Sequence, residues 1–135
     1  MKNEQWLSVF RSIGTKMRAG ITEFLGREGG KIDLGRGAGG DRTFPVDKWA
    51  EDIIIAELEQ AHRQGESFTL ISEEAGVRRF GGGNKKIVLV DPIDGSNNAK
   101  NGVPFFATAI ALLNGDKLSD LTVGYVINLA VEDEF

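Results

Sequence analysis

The chain is 135 residues long, with 16 basic and 20 acidic side chains, a formal net charge of −4 and no cysteine. That length suits one domain with a real core, one that buries about two-thirds of its unfolded surface. The charge balance, with no basic stripe interleaved with aromatics, argues against a nucleic-acid partner. The lack of cysteine excludes disulfides and thiolate metal sites, and fits a reducing compartment or a hot one. No apolar run approaches the ~20 residues of a membrane span. The first residues, MKNEQWLSVFRSIG, carry charges throughout and lack the apolar core of a secretory signal, so a cytoplasmic protein is expected.

Spacing predicts a helix over 3–27, where Trp6, Phe10, Ile13, Met17, Ile21 and Phe24 recur at helical period. Gly14 and Gly20 either weaken it, each by about 1 kcal/mol relative to Ala, or mark close packing. Residues 28–45 read as a glycine-rich loop, mobile or shaped around a ligand. A second helix is predicted over 47–63, preceded by Pro45, with Trp49, Ile53, Ala56 and Ala61 tracing one face. Strands are predicted at 68–73, 86–91, 105–113 and 121–128. Turns fall at Gly81-Gly82-Gly83 and Asn114-Gly115. Arg78, Arg79, Lys85 and Lys86 flank the glycine turn as a solvated hairpin, and His62 reads as a surface cation near a helix end. Two helices followed by strands imply an α+β fold, with both helices on one face of a largely antiparallel sheet.

The most informative run is Asp91-Pro92-Ile93-Asp94-Gly95-Ser96, which follows the apolar strand KIVLV. Pro92 is expected to stop the ladder there, and the bend turns Asp91 and Asp94 to one side. Two close carboxylates raise each other's pKa, and a hard cation such as Mg²⁺ relieves the conflict because it takes oxygen ligands. The bland alternative is an ordinary strand-ending turn. Gly95 permits a tight turn. A helix starting there would leave the backbone N–H groups of Gly95, Ser96 and Asn97 free for an anion. Upstream, SFTLISEEAG ends a second strand in Glu73 and Glu74, which read equally as a solvated acidic pair. Asp47 is by itself best read as a helix N-cap, and Asp41 as a turn residue. GRGAGG (35–40) satisfies G-x-G-x-x-G, but Asp41–Pro45 intervenes before any helix, so a dinucleotide fold is not supported. GREGGK (26–31) lacks the spacing and the Ser or Thr of a P-loop.

ISEEAG followed by LVDPIDGSNNAKNGVPFFATAIAL, together with GAGGDRTFPVDKWAEDIII, resembles the inositol monophosphatase family, and within it the archaeal branch acting on inositol-1-phosphate and fructose-1,6-bisphosphate. The resemblance implies a Mg²⁺-dependent, Li⁺-sensitive phosphatase with two or three metal ions, Mn²⁺ being a substitute. It implies Glu73, Asp91, Asp94 and the Ile93 carbonyl as metal ligands, with Asp91 bridging, and Glu74 in support. Asp47 would pair with the Ser96 hydroxyl to orient and deprotonate water, where the family usually has Thr. Gly95, Ser96 and Asn97 would bind phosphate, and Asp41 would serve a weak third metal. The substrate implied is a small phosphorylated sugar or polyol; a 3′(2′),5′-bisphosphate nucleotidase is the rival within the superfamily. Family members are about twice as long, and a further ligand Asp in a W-D-x-A-type helix has no match here. The expectation is therefore an N-terminal metal-binding domain, residues 1–135, without its C-terminal domain. It would be a homodimer or pair with a chain that supplies the other half. A catalytically incomplete binding domain is the alternative from another class.

Overall fold

A computed structural model describes residues 1–27, 45–83, 85–131 and 133–135. Two long helices come first: α1 (Asn3–Arg27) and α2 (Pro45–Arg63). Then follow β1 (Phe68–Ser72), β2 (Gly76–Phe80), β3 (Ile87–Asp94), a short helix α3 (Ser96–Lys100), β4 (Ala107–Leu113) and β5 (Leu121–Asn128). The strands form one sheet in the order β2-β1-β3-β4-β5. β1 and β3 run parallel; every other pair is antiparallel. The α+β expectation holds, with one parallel pair inside the sheet.

Both helices lie on one face. Alternation along the strands gives that face Phe68, Leu70, Val88, Val90, Ile110, Leu112, Tyr125 and Ile127, all buried. The predicted stripe of α1 is the stripe that packs: Trp6, Phe10, Ile13, Met17 and Ile21 are buried and Phe24 lies half-buried, stacked on Trp49. Each such side chain contributes about 1.5–3 kcal/mol by burial. Gly14 and Gly20 mark close approach. A Cβ at Gly14 would stand 2.1 Å from the Tyr125 hydroxyl, and one at Gly20 2.7 Å from the Trp49 ring.

On α2 the expected face is corrected. The buried stripe is Val46, Ala50, Ile54, Leu58 and Ala61, whereas Ala56 is exposed and Trp49 and Ile53 lie at its margin. Ile53, Ile54 and Ile55 offer more than one face, and Ile54 is the one buried where α2 packs on α1 and β3. Buried Glu57 ties the two helices together. It accepts from Ser12 at 2.7 Å and pairs with Lys16. Burial alone would raise its pKa, but the bonds from Lys16 and Ser12 hold it below the usual carboxylate range. Glu66, also buried, is paired with the Met1 ammonium and Lys86. His62 is half-buried rather than on the surface, with Nδ1 2.7 Å from the Glu66 carbonyl and its ring edge-on to Phe80.

The sheet's other face carries Ile71, Leu89, Ala109, Ala111 and Val126, and no described helix covers it. Ile71 and Val126 are exposed. After β5 the chain turns back, and Glu134 bridges to Ile127. The Glu134 carboxylate receives Arg11 Nε at 3.1 Å and the Tyr125 hydroxyl at 3.2 Å. Among the described residues, no helix is long and apolar enough to cross a membrane.

Candidate active site

The acidic residues gather where β1 and β3 end. The two strands are parallel, with Ser72 beside Val90, so the residues that follow each, Glu73 and Asp91, emerge side by side. Their carboxyls are close enough to share a hydrogen bond.

Asp94 reaches the same end by a bulge, not by a strand stop. β3 runs through Pro92 to Asp94. Asp91 stands opposite Ala109 and Asp94 opposite Ala107, so three steps on β3 match two on β4. In a regular strand, positions 91 and 94 would face opposite sides. The extra residue re-aims the chain, as bulges do beside functional sites. Pro92 therefore does not end the ladder as expected; it sits in the irregularity, where its missing N–H costs nothing. Its carbonyl accepts from the buried Thr108 hydroxyl at 2.8 Å.

α3 starts at Ser96. Its N-cap is Gly95, with φ 90°, and no side chain caps the first turn. A Cβ at Gly95 would lie 2.6 Å from the Phe105 carbonyl oxygen, which also accepts from Asn98 Nδ2 at 2.9 Å. Glycine is thus required twice over, by conformation and by space. α3 packs on α2. Asp47 lies in the first turn of α2, two residues inside a helix that begins at Pro45, so it is not the N-cap. It is 2 % exposed.

The electrostatics show what has been assembled. Asp91 is raised to about 6, first by burial, then by Glu73, Asp94 and Asp47. Glu74 is raised to about 7, first by burial, then by Asp47, Glu51, Glu73 and Asp91. Glu51, one helical turn beyond Asp47, is also raised, by burial and by Asp52 and Asp47 against the pull of Lys48. Sequence alone does not single out Glu51; its i, i+4 spacing from Asp47 is the signal it offers. A groove of about 720 Å³ runs from the uncovered apolar face, past Ile71, Leu89 and Ala109, to Glu73 and Asp91.

Among the described residues, no three His, Cys, Asp or Glu side chains close to metal-ligating geometry. The donor set nonetheless fits a hard divalent cation. It is all oxygen, and Asp91 Oδ1 is buried with no hydrogen-bond partner among the described residues, a costly state that a cation relieves. Ile93 has a buried side chain within the bulge. Asp41 lies outside the described residues.

Residues 3–133 match the model of the inositol monophosphatase family. A fructose-1,6-bisphosphatase/inositol-1-monophosphatase of Archaeoglobus fulgidus is 35% identical over 135 residues, covering 100% of this chain and 50% of that protein. A bifunctional NADP phosphatase/NAD kinase of Methanococcus maripaludis is 31% identical over 143 residues, covering 96% of this chain and 25% of that protein. The solved structure of an extragenic suppressor from Pyrococcus furiosus superposes with a TM-score of 0.75 at 30% identity, covering 99% of this chain and 49% of that one. The chain spans half of the Archaeoglobus protein and a quarter of the Methanococcus one. With the family model extending over nearly every residue, the acidic strand ends and the bulge acquire a lineage: the chain belongs to the inositol monophosphatase family.

Proposed function

We propose that this chain forms the metal-binding half of a phosphatase that hydrolyses a small phosphomonoester, inositol-1-phosphate or fructose-1,6-bisphosphate, with Mg²⁺. The observation that carries the reading is the neighbouring pair Glu73 and Asp91, with the buried Oδ1 of Asp91 unpartnered among the described residues.

In this reading Glu73 and Asp91 would hold one cation, and Asp91, Asp94 and the Ile93 carbonyl would hold a second. Mn²⁺ would substitute, and Li⁺ would inhibit. Mg²⁺ bound there supplies Lewis acidity, lowering the pKa of water and offsetting charge on a phosphoryl group. Asp47, buried in the first turn of α2, works with the Ser96 hydroxyl to orient the attacking water and take its proton. The N–H groups of Gly95, Ser96 and Asn97, uncapped by any side chain, donate to the phosphoryl oxygens where negative charge builds. Glu74 and Glu51 add negative charge beside Asp47 and favour cation binding. Asp41 remains a third-metal candidate. The setting would be the cytoplasm.

The uncovered apolar face beside the groove is read as the seat of the complementary half of the enzyme, whether from a partner chain or a second copy. By itself this half is expected to turn over slowly or not at all. A second substrate class rests on the Methanococcus relative, which is named an NADP phosphatase: a phosphate on a nucleotide ribose, as a 3′(2′),5′-bisphosphate nucleotidase would take.

The test is phosphate release from inositol-1-phosphate, fructose-1,6-bisphosphate and NADP with Mg²⁺. The chain is assayed alone and mixed with the separately expressed C-terminal half of the Archaeoglobus relative. Mg²⁺-dependent release from the mixture, lost in Asp91→Asn and Asp47→Asn, supports the reading. Release unaffected by both substitutions contradicts it.

A further inference from the structure

We infer that the end of the sheet remote from the carboxylates holds a separate pocket for a phosphate group. The cavity there is about 410 Å³, lined by Ser67, Thr69, Arg79, Lys85 and the glycine turn 81–83, with Phe68 beneath. That volume is of the size that takes small ligands, roughly 300–1,000 Å³.

Four cations surround this turn, and they divide into two kinds. Arg78 is paired with Glu59 at 2.8 Å and lies over the Phe80 ring. Lys86 is paired with buried Glu66. Arg79 and Lys85 make no ion pair among the described residues, and both are exposed at the cavity wall. Thr69 stands opposite Arg79 in the β1–β2 register, which puts the two side chains on one face of the sheet, the face away from the helices. The wall thus holds a guanidinium, an ammonium and two hydroxyl donors, with no carboxylate among its lining residues. An acceptor-only group of high charge density answers that set, and a guanidinium fork matches phosphate oxygens in pairs.

The turn adds main chain without side chains. Gly81 and Gly83 have φ of 76° and 75°, and left-handed main chain in such turns makes concavities that take anions. A Cβ at Gly81 would lie 2.4 Å from Ser67 Oγ, so a side chain there would close the pocket. Lys85 and Asp91 are separated by six residues of mostly extended chain, about 20 Å. Binding here therefore does not depend on the metal centre. The pocket takes free phosphate or the phosphate of a monoester; the chemistry is shared, and the probes separate the two.

The experiment is an NMR titration of the ¹⁵N-labelled 135-residue chain in EDTA, at constant ionic strength, with inorganic phosphate and separately with glycerol 3-phosphate. The expected result is saturable amide shifts at 67–69 and 81–83, little change at 95–97, and at least a tenfold weakening in the Arg79→Ala/Lys85→Ala double variant. Asp91→Asn should leave the shifts unchanged, which keeps this site's failure distinct from that of the active-site reading. Tighter binding of glycerol 3-phosphate identifies an organic phosphate as the ligand; equal binding identifies the free ion. Shifts confined to 95–97, no saturation at 67–69 and 81–83, or titration curves that the double variant leaves unaltered overturn the proposal. Both replaced residues are exposed, so an unaltered circular dichroism spectrum is expected and a single-residue Lys85→Met variant serves as a milder check.

Discussion

The hydroxyl of Thr108 donates to the carbonyl oxygen of Pro92 over 2.8 Å, inside the core between β4 and β3. The pair sits within the bulge that separates Asp91, opposite Ala109, from Asp94, opposite Ala107. One extra residue decides whether those two carboxylates share a side of the sheet. Thr108 fixes it by giving the Pro92 carbonyl a partner where the ladder is irregular.

Thr108→Val keeps the shape and removes the donor. A buried carbonyl left unsatisfied costs about 1–3 kcal/mol. Urea unfolding should report a loss of that size, and calorimetry should report weaker Mg²⁺ binding from a looser bulge. Unchanged stability with unchanged metal binding would show that the bulge holds itself.

Gly95→Ala puts a Cβ 2.6 Å from the Phe105 carbonyl oxygen, at a φ of 90° that L side chains rarely adopt. Strain of about 1–3 kcal/mol is expected, expressed at the start of α3. The amides of Ala99 and Asn101, which donate to the Gly95 and Asn97 carbonyls, should lose hydrogen-exchange protection while β1 and β4 keep theirs. Uniform protection across all of them would refute this.

Stability without metal should fall as pH rises from about 4.5 to 7. Asp91 and Glu74 have folded pKa values raised to about 6 and about 7, above their unfolded values. In that window the folded state binds more protons than the unfolded one, so the slope of stability against pH is negative. Glu57 and Glu66 are lowered instead, and their contribution is lost as pH falls below the usual carboxylate range. A stability maximum near pH 4–5 in EDTA follows, moving toward neutral pH when Mg²⁺ is added. Thermal melts across pH, with and without Mg²⁺, check both halves of this statement.

The parts legible in the sequence were those written in a single period. The α1 stripe from Trp6 to Ile21 repeats at helical spacing, and it packs as written. α2 was legible as a helix but not in its facing, because three consecutive isoleucines at 53–55 fit several faces and only tertiary packing buries Ile54. In the sequence, Arg78, Arg79, Lys85 and Lys86 read as a hairpin around the glycine turn, but β2 pairs with β1 and not with β3, so the turn is a crossover. The β2 residues Gly76 to Arg79 are exposed on an edge, and the strand is fixed by pairing with β1 and the stacking of Phe80 on Phe68 at 4.7 Å. At the site, Glu73, Asp91 and Asp94 were legible as strand-end acids. The means that joins them was not, since Pro92 signals a stop and the donor that makes it a bulge lies 16 residues on.

The metal site is tested most directly by the melting temperature of the 135-residue chain against Mg²⁺ concentration, with NaCl holding ionic strength constant. A ligand that binds only the folded state stabilises it by RT ln(1 + [L]/Kd), about 2.7 kcal/mol at a hundredfold excess over Kd. A rise that follows this law is expected in the wild type and should disappear in Asp91→Asn. No rise, or the same rise in Asp91→Asn, would contradict the assignment of these carboxylates as a metal site.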